Sequence, residues 1–269
     1  MHVTAAYMIV MALEVATLLY HEVTDDPRAS GFQRRSAMPY KLCRRAFAEH
    51  LDAIADGAHP PTRVTEIDFS AAARHLMLSF DDGGASALGA SDMLAERGWK
   101  AHFLVTTGKL GSRTFLDAAD VRALHAAGHV VGTHSHTHPN VFRALSPVAM
   151  LREWRESRDR LEQILGHEVT VASVPGGDSS IAVECSAAAA GLRWLFTSVP
   201  ELRPRRVGTC WVLGRACAKN SIPVETVRAL ASFRGWRRAR IERQLKDVVR
   251  VALDPAYRLW VRSREAETE

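Results

Sequence analysis

The feature that most narrows the fold of this chain is an alternation: short, apolar, β-prone runs are separated by longer stretches of helical pattern. The runs are Ala16–Val23, His75–Phe80, Lys100–Thr106, Val130–Thr133, Val169–Val174, Leu192–Thr197 and Thr209–Leu213. Helices are predicted near Tyr40–Asp56, Ala87–Arg97, Ala118–Ala127, Pro147–Leu165, Ser180–Ala190, Pro223–Ser232 and Trp236–Leu253. The runs lie too far apart to close as hairpins, so they predict a parallel sheet, either a barrel or a doubly wound layer. A length of 269 residues suffices for one such α/β domain, and no linker demands a second. Gly57–Pro61 marks a loop, and the terminal SREAETE stretch is expected to fray.

Composition excludes several classes. With 47% apolar and 24% charged residues and no internal repeat, the chain reads as globular, neither disordered nor fibrous. Cys43, Cys185, Cys210 and Cys217 lie far apart without a CxxC pair. That spacing argues against a disulfide framework or a structural zinc knuckle and fits a reducing compartment. The stretch Ala5–Tyr20 is apolar but broken by Glu14, with no basic region before it and no small-residue cleavage site. Neither a signal peptide nor a membrane span is expected; an extra helix or extended start is, with an interfacial anchor as the alternative.

Charge is unevenly placed. The net charge is +5, yet residues 201–269 hold 16 Lys/Arg against 8 Asp/Glu, while residues 1–200 hold 19 against 22. Arg234, Arg237, Arg238, Arg240, Arg243, Lys246 and Arg250 alternate with Trp236, Ile241, Leu245, Val248 and Val249 at helical spacing. This predicts an amphipathic helix with a basic outer face. The plain reading is a solvated surface; the sharper one is peripheral contact with anionic lipid or a phosphorylated substrate carrier. No recognition motif for nucleic acid accompanies the charge. The expected location is cytoplasmic, at or near the inner face of the membrane.

The residues with chemistry in them fall where strands end. Asp81 and Asp82 follow His75–Phe80, His134 follows Val130–Thr133, and Pro175–Gly177 follow Val169–Val174. In parallel α/β folds the carboxyl ends of strands carry the active site. Two adjacent carboxylates at the end of an apolar strand are costly unless something positive is bound there. Taken alone, Asp82–Gly83–Gly84 could be no more than a turn. Thr133–His134–Ser135–His136–Thr137–His138–Pro139 adds three imidazoles within five residues. In an extended segment i and i+2 would share a face, and in a single helical turn, the most Pro139 allows, His134 and His138 would face the same way. Two histidines and a carboxylate form a facial set with open positions, suited to zinc or another late first-row divalent ion.

These residues resemble a known family. LMLSFDDG (Leu76–Gly83), GHVVGTHSHTHPN (Gly128–Asn140) and SVPGG (Ser173–Gly177) look like successive motifs of the polysaccharide deacetylases, carbohydrate esterase family four. LLYHEV (Leu18–Val23) is similar to the first-strand motif of one branch of the family, while GWKAHFLV (Gly98–Val105), REW (Arg152–Trp154) and LFTSVP (Leu195–Pro200) resemble a bacterial subgroup often associated with surface-polysaccharide synthesis. The resemblance runs from about Leu18 to Ala231. It implies a distorted (β/α) barrel of about seven parallel strands over residues 16–233, with an N-terminal extension (1–15) and a basic helical C-terminal extension (234–269). It also implies Asp82, His134 and His138 as metal ligands and Asp81 as general base. The cofactor would be a divalent metal, zinc first, with cobalt, nickel or iron as alternatives. Backbone N–H groups near Gly176 would help hold the oxyanion, each such donor worth about 2.7–4 kcal/mol. His136 falls at a variable position and is expected to be supporting or exposed.

The sequence also departs from the family. Most members supply the general acid from a late-strand histidine, but all 12 histidines here lie at or before His167. His21 is the expected replacement, with His102 behind it; core packing is the alternative for each. The family's arginine that holds the base aligns with Ser173, and its aromatic with Gly176. Arg215, after the last long strand, is a candidate for the missing charge and for substrate contact together with Pro175, Gly176 and Gly177. Asp178 either lines the mouth or caps the following helix. The tryptophan-containing fourth motif is unrecognisable, with Thr197–Ser198 near its place. The expected activity is removal of an N-acetyl group from an N-acetylated sugar in a glycan or glycan precursor. The alternatives are a deacylase of a small natural product and a metal-binding protein without activity.

Overall fold

The computed structural model describes residues 12–177 and 179–252, with side chains described as far as residue 245. The N-terminal half of the apolar Ala5–Tyr20 stretch, Asp178, and the expected frayed tail lie outside the described residues.

Eleven strands form along the described chain: β1 (Glu14–Tyr20), β2 (Glu22–Val23), β3 (Lys41–Leu42), β4 (Arg74–Phe80), β5 (His102–Val105), β6 (Val130–Thr133), β7 (Val171–Ser173), β8 (Trp194–Phe196), β9 (Arg205–Val207), β10 (Cys210–Leu213) and β11 (Ala216–Cys217). The helices are α1 (Arg44–Ala55), α2 (Ala87–Ala95), α3 (Ala118–Ala126), α4 (Pro147–Leu165), α5 (Ile181–Ala189), α6 (Val224–Ala231) and α7 (Trp236–Ala252). Nine strands make one sheet in the order β11-β1-β4-β5-β6-β7-β8-β10-β9, curled into a half-barrel. Every pairing in it is parallel except β9 with β10. β2 and β3 form a separate parallel pair. Among the described residues no helix is long and apolar enough to cross a membrane.

The sheet therefore has two more strands than the seven expected. The additions, β9 and β11, hold three and two residues, too short to leave a periodic signal. The run Ala16–Val23 divides at His21 into β1 and β2, and β1 begins two residues early, at Glu14. The expected helix Tyr40–Asp56 starts only at Arg44, because Lys41–Leu42 pair with β2 and Cys43 caps the helix.

Two-residue alternation sorts the strands' side chains onto two faces. Ala16, Leu18 and Tyr20, with Leu76, Leu78 and Phe80, pack outward into the largest cluster, beneath Phe47, Leu51 and Ile54 of α1 and Met93 and Leu94 of α2. Aromatic rings hold this layer together, Phe80 stacking on Phe103 at 4.8 Å and on Tyr20 at 5.6 Å. On the opposite face Val15, Met77, Leu104, Val171, Phe196 and Leu213 fill the inside of the curl. Carrying the inner-face alternation past the end of each strand leads from Val15 to His21, from Met77 to Asp81 and from Leu213 to Arg215. The apolar pattern that folds the sheet thus delivers its polar residues to one mouth.

Candidate active site

Asp82, His134 and His138 meet at that mouth. One ligand-capable atom from each lies within 4.8 Å of the others. Asp82 Oδ1 is 3.5 Å from His134 Nε2 and 3.4 Å from His138 Nε2, and all three residues are less than a tenth exposed. Their backbones are unusual. Four non-glycine residues among those described have positive φ, and three belong to this cluster: Asp82 (75°), Ser135 (63°) and His138 (58°). Each such conformation costs on the order of 1–3 kcal/mol and persists only where its surroundings enforce it.

The enforcing contacts are visible. His134 N–H donates to Val105 O at 2.9 Å. Ser135 N–H donates to Thr133 Oγ1, and His138 N–H to Ser135 Oγ. Glu153, reaching up from α4, accepts from His136 N–H (2.9 Å), Thr137 N–H (2.8 Å) and Thr137 Oγ1 (2.6 Å). Of the two conformations open to this segment, extended and helical, neither forms; it is a tight loop pinned to one carboxylate. The neighbouring turn is fixed by Glu22. Gly84 passes directly against the Glu22 carboxylate, which would have to shift to admit a Cβ there. Glu22 Oε2 accepts from Ser30 Oγ and from Ser86 Oγ, and burial raises its carboxyl to about 7 against those two hydrogen bonds.

The protonation pattern suits a cation. Burial holds His134 down to about 4, leaving its ring neutral at ordinary pH. Its Nδ1 lies 3.1 Å from Ser173 O and 2.5 Å from Ser173 Oγ; donation of the Nδ1 proton there turns the Nε2 lone pair toward Asp82. Burial would raise the Asp82 carboxyl, but its hydrogen bond to His138 and the surrounding imidazoles outweigh that and hold it ionised. Two imidazole nitrogens and a carboxylate within reach of one point form a donor set that fits a zinc-like divalent ion.

Asp81 sits behind this cluster, gripped by Arg215. Arg215 Nη1 donates to Oδ1 at 2.7 Å and Nη2 to Oδ2 at 2.8 Å, while Ser173 Oγ donates to Oδ1 at 3.0 Å. Arg215 also donates from Nε to Thr197 O and from Nη1 to Ser79 Oγ. Burial opposes ionisation of Asp81, yet the guanidinium and His134 keep its carboxyl below the usual range. Arg215 is fully buried and stands behind Asp81, away from the cavity wall, so the geometry does not offer it to a substrate. The close approach depends on Gly214, where a Cβ would meet Val199 O at 2.5 Å.

The cavity above these residues has a volume of about 1430 Å³. His21 lines it, its ring 4.7 Å from Tyr40 and its Nδ1 buried without a hydrogen-bond partner among the described residues. Burial lowers the pKa of His21, against the attraction of Asp82 and Asp81. Gly176, Gly177 and Ser198 also line the cavity, whereas Pro175 is buried beneath. Gly177 N–H is already bonded to Val174 O. His136 turns aside to Thr107 Oγ1 at 3.0 Å. His102 is fully buried, accepting from Val64 N–H at Nε2 with Nδ1 against Leu78 O, a core residue remote from the mouth. Sequence reasoning missed Glu22 and Glu153. The only trace of the latter was its place in Arg152–Trp154.

Comparison with known proteins agrees with this architecture. The polysaccharide deacetylase family pattern matches residues 70–195. Among curated relatives, YheN of Bacillus subtilis (strain 168), whose name is that of a candidate polysaccharide deacetylase, is 32% identical over 101 residues. The aligned stretch spans 37% of this chain and about a third (34%) of that relative's length. Two solved structures are similar in fold. BC0361, a polysaccharide deacetylase from Bacillus cereus, superposes with a TM-score of 0.68 at 15% identity, over 81% of this chain and 69% of that one. IcaB from Ammonifex degensii gives 0.66 at 20% identity, over 82% and 98%. The matched segment covers just under half of the chain, and together with the motif order and the fold it marks a similarity to the polysaccharide deacetylase family.

Proposed function

We propose that this chain is a metal-dependent deacetylase that removes the N-acetyl group from an N-acetylated sugar in a glycan or glycan precursor. The observation that carries the reading is the convergence of Asp82, His134 and His138 beside an arginine-clamped Asp81, at the mouth of a cavity roomy enough for a sugar.

Asp82 Oδ1, His134 Nε2 and His138 Nε2 would hold the cation. When bound, a divalent cation of this kind polarises the acyl carbonyl and acidifies water, lowering its pKa from 15.7 toward roughly 7. The chain's own groups supply the rest. Asp81 is the base. Its Oδ1 is filled by Arg215 and Ser173, whereas Oδ2 accepts one hydrogen bond, from Arg215 Nη2, and has room for the water proton. Arg215 fixes the direction of that oxygen and keeps the carboxylate ionised until the proton arrives. With Gly177 N–H committed, Gly176 is the backbone donor toward the developing oxyanion. His21, on the cavity wall, gives the leaving nitrogen its proton. Its resting ring is neutral, so the proton it donates must be gained within the cycle.

The unpaired state of all four cysteines accords with action on a precursor inside the cell. The test is acetate release from N-acetylglucosamine, chitooligosaccharides and acylated glycosides by protein loaded with zinc, cobalt or nickel. Release from at least one sugar substrate, abolished by Asp81→Asn, is the expected result. Release from none, with metal bound, would overturn the reading.

A further inference from the structure

The cavity at the mouth of the sheet is larger and more basic than deacetylation of a single neutral sugar requires. Its volume of about 1430 Å³ exceeds the roughly 300–1,000 Å³ common for small-molecule sites. Apart from Asp81 and Asp82, its walls carry seven Lys or Arg residues against three Glu. All three glutamates are engaged: Glu22 by Ser30 and Ser86, Glu225 by Arg228, and Glu242 by Arg238. Three of the cations, Arg35, Lys219 and Arg234, are not balanced in the same way. Among the described residues Arg35 and Arg234 have no carboxylate partner, and Lys219 Nζ rests 4.9 Å over the Tyr40 ring.

Lys219 connects to the reacting centre through direct contacts, and the segment carrying Arg35 is tied to it. Tyr40, under Lys219, lies 4.7 Å from the His21 ring. Asn220 N–H donates to Pro39 O at 2.8 Å, which fixes the loop of Lys219 against the segment carrying Arg35. Across the mouth, Arg34 Nη1 donates to Asn140 Oδ1 at 2.6 Å, two residues past His138.

The reaction itself says what such walls suit. N-deacetylation turns a neutral amide into an amine that is largely protonated at neutral pH. Successive deacetylations along a neutral polymer would set growing positive charge against positive walls. A substrate that brings its own negative charge escapes this repulsion and gains from the same residues.

Resting on the deacetylase reading above, we propose that the substrate is an N-acylated sugar bearing a phosphate or diphosphate ester, held by Arg35, Lys219 and Arg234 while its acyl group lies at Asp82. The experiment is calorimetric titration of the metal-free full chain with N-acetylglucosamine 1-phosphate, N-acetylglucosamine and inorganic pyrophosphate, at low and high salt. The sugar phosphate is expected to bind at least about tenfold more tightly than the neutral sugar, with the preference shrinking as salt rises. The triple variant Arg35→Gln, Lys219→Gln, Arg234→Gln should bring that ratio close to one. A control with the same loss of charge at exposed positions elsewhere, Arg122→Gln, Arg155→Gln, Arg160→Gln, should keep it. Equal binding of the two sugars, or a preference that survives the first triple variant, would overturn the proposal.

UDP-N-acetylglucosamine and a short polyprenyl-diphosphate N-acetylglucosamine then separate a nucleotide from a lipid carrier, and preferential binding of either supports the subsite. The two readings fail differently. Tight sugar-phosphate binding without acetate release by metal-loaded protein would sink the deacetylase reading and leave the anionic subsite standing. Acetate release from chitotetraose without any phosphate preference would do the reverse.

Discussion

Arg215 and Asp81, 134 residues apart in the chain, are joined by two parallel hydrogen bonds of 2.7 and 2.8 Å, with side chains 0% and 3% exposed. The arginine arrives from the turn between β10 and β11, whereas the family resemblance aligns its usual arginine with Ser173 on β7. The same carboxylate is held from a different strand. Removing one partner of a buried, bidentate pair leaves the other charged and desolvated, so Arg215→Met should cost about 3–5 kcal/mol in urea denaturation. Arg215→Lys should recover part of that stability, since a single ammonium cannot make both bonds.

Glu153 predicts a change in metal binding with little change in fold. Its carboxylate accepts three hydrogen bonds from His136 and Thr137, between the two candidate histidine ligands. Glu153→Ala should weaken metal affinity about 10–100-fold, as loss of a group that orients ligands does. Thermal stability of the metal-free protein should barely move. Competition with a chromophoric chelator measures the affinity. Unchanged affinity would show that the loop holds its shape without this carboxylate.

His21 predicts a separation of chemistry from binding. His21→Gln should retain the metal while lowering turnover by about 10²–10⁴-fold, the usual range for a positioned acid or base. Parallel metal analysis and acetate-release kinetics decide it. Full turnover in the variant would remove His21 from the mechanism.

Acidification from pH 6.5 toward 4 should destabilise the metal-free protein through its buried histidines. Burial holds His102, His129 and His134 down to about 4, against an unfolded value of 6.5. Between those values the unfolded chain binds protons that the folded chain refuses. Their stabilising effect is therefore complete above pH 6.5 and lost as pH falls toward 4, on the order of 3 kcal/mol for a fully buried ring. Glu22, raised to about 7, acts in the opposite sense, losing its effect as pH rises through that value. Three rings against one carboxyl give a net decline on acidification, measurable by urea denaturation across the window.

What was legible in the sequence was what local pattern encodes. Val130–Thr133 and Pro147–Leu165 have the bounds expected of them, and Asp81, Asp82 and His134 lie at strand ends as the apolar runs imply. The two-strand excess escaped because two or three residues carry no period. The Arg215–Asp81 clamp and the Glu22 contact with Gly84 escaped in their geometry because each depends on strands and turns meeting across the sheet. Residue types identify such groups as able to pair; only the fold decides which partner they reach. The loop at His134–His138, with positive φ at both Ser135 and His138, escaped for the same reason, since Glu153 that anchors it comes from the next helix.

The central claim is that Asp82, His134 and His138 hold one divalent cation. Elemental analysis of the purified full chain, before and after His134→Ala and Asp82→Ala, tests it most directly. About one zinc-like ion per chain is expected in the unaltered protein, falling to near zero in either variant while circular dichroism stays the same. Retention of a full equivalent of metal by both variants would place the ion elsewhere and contradict the account.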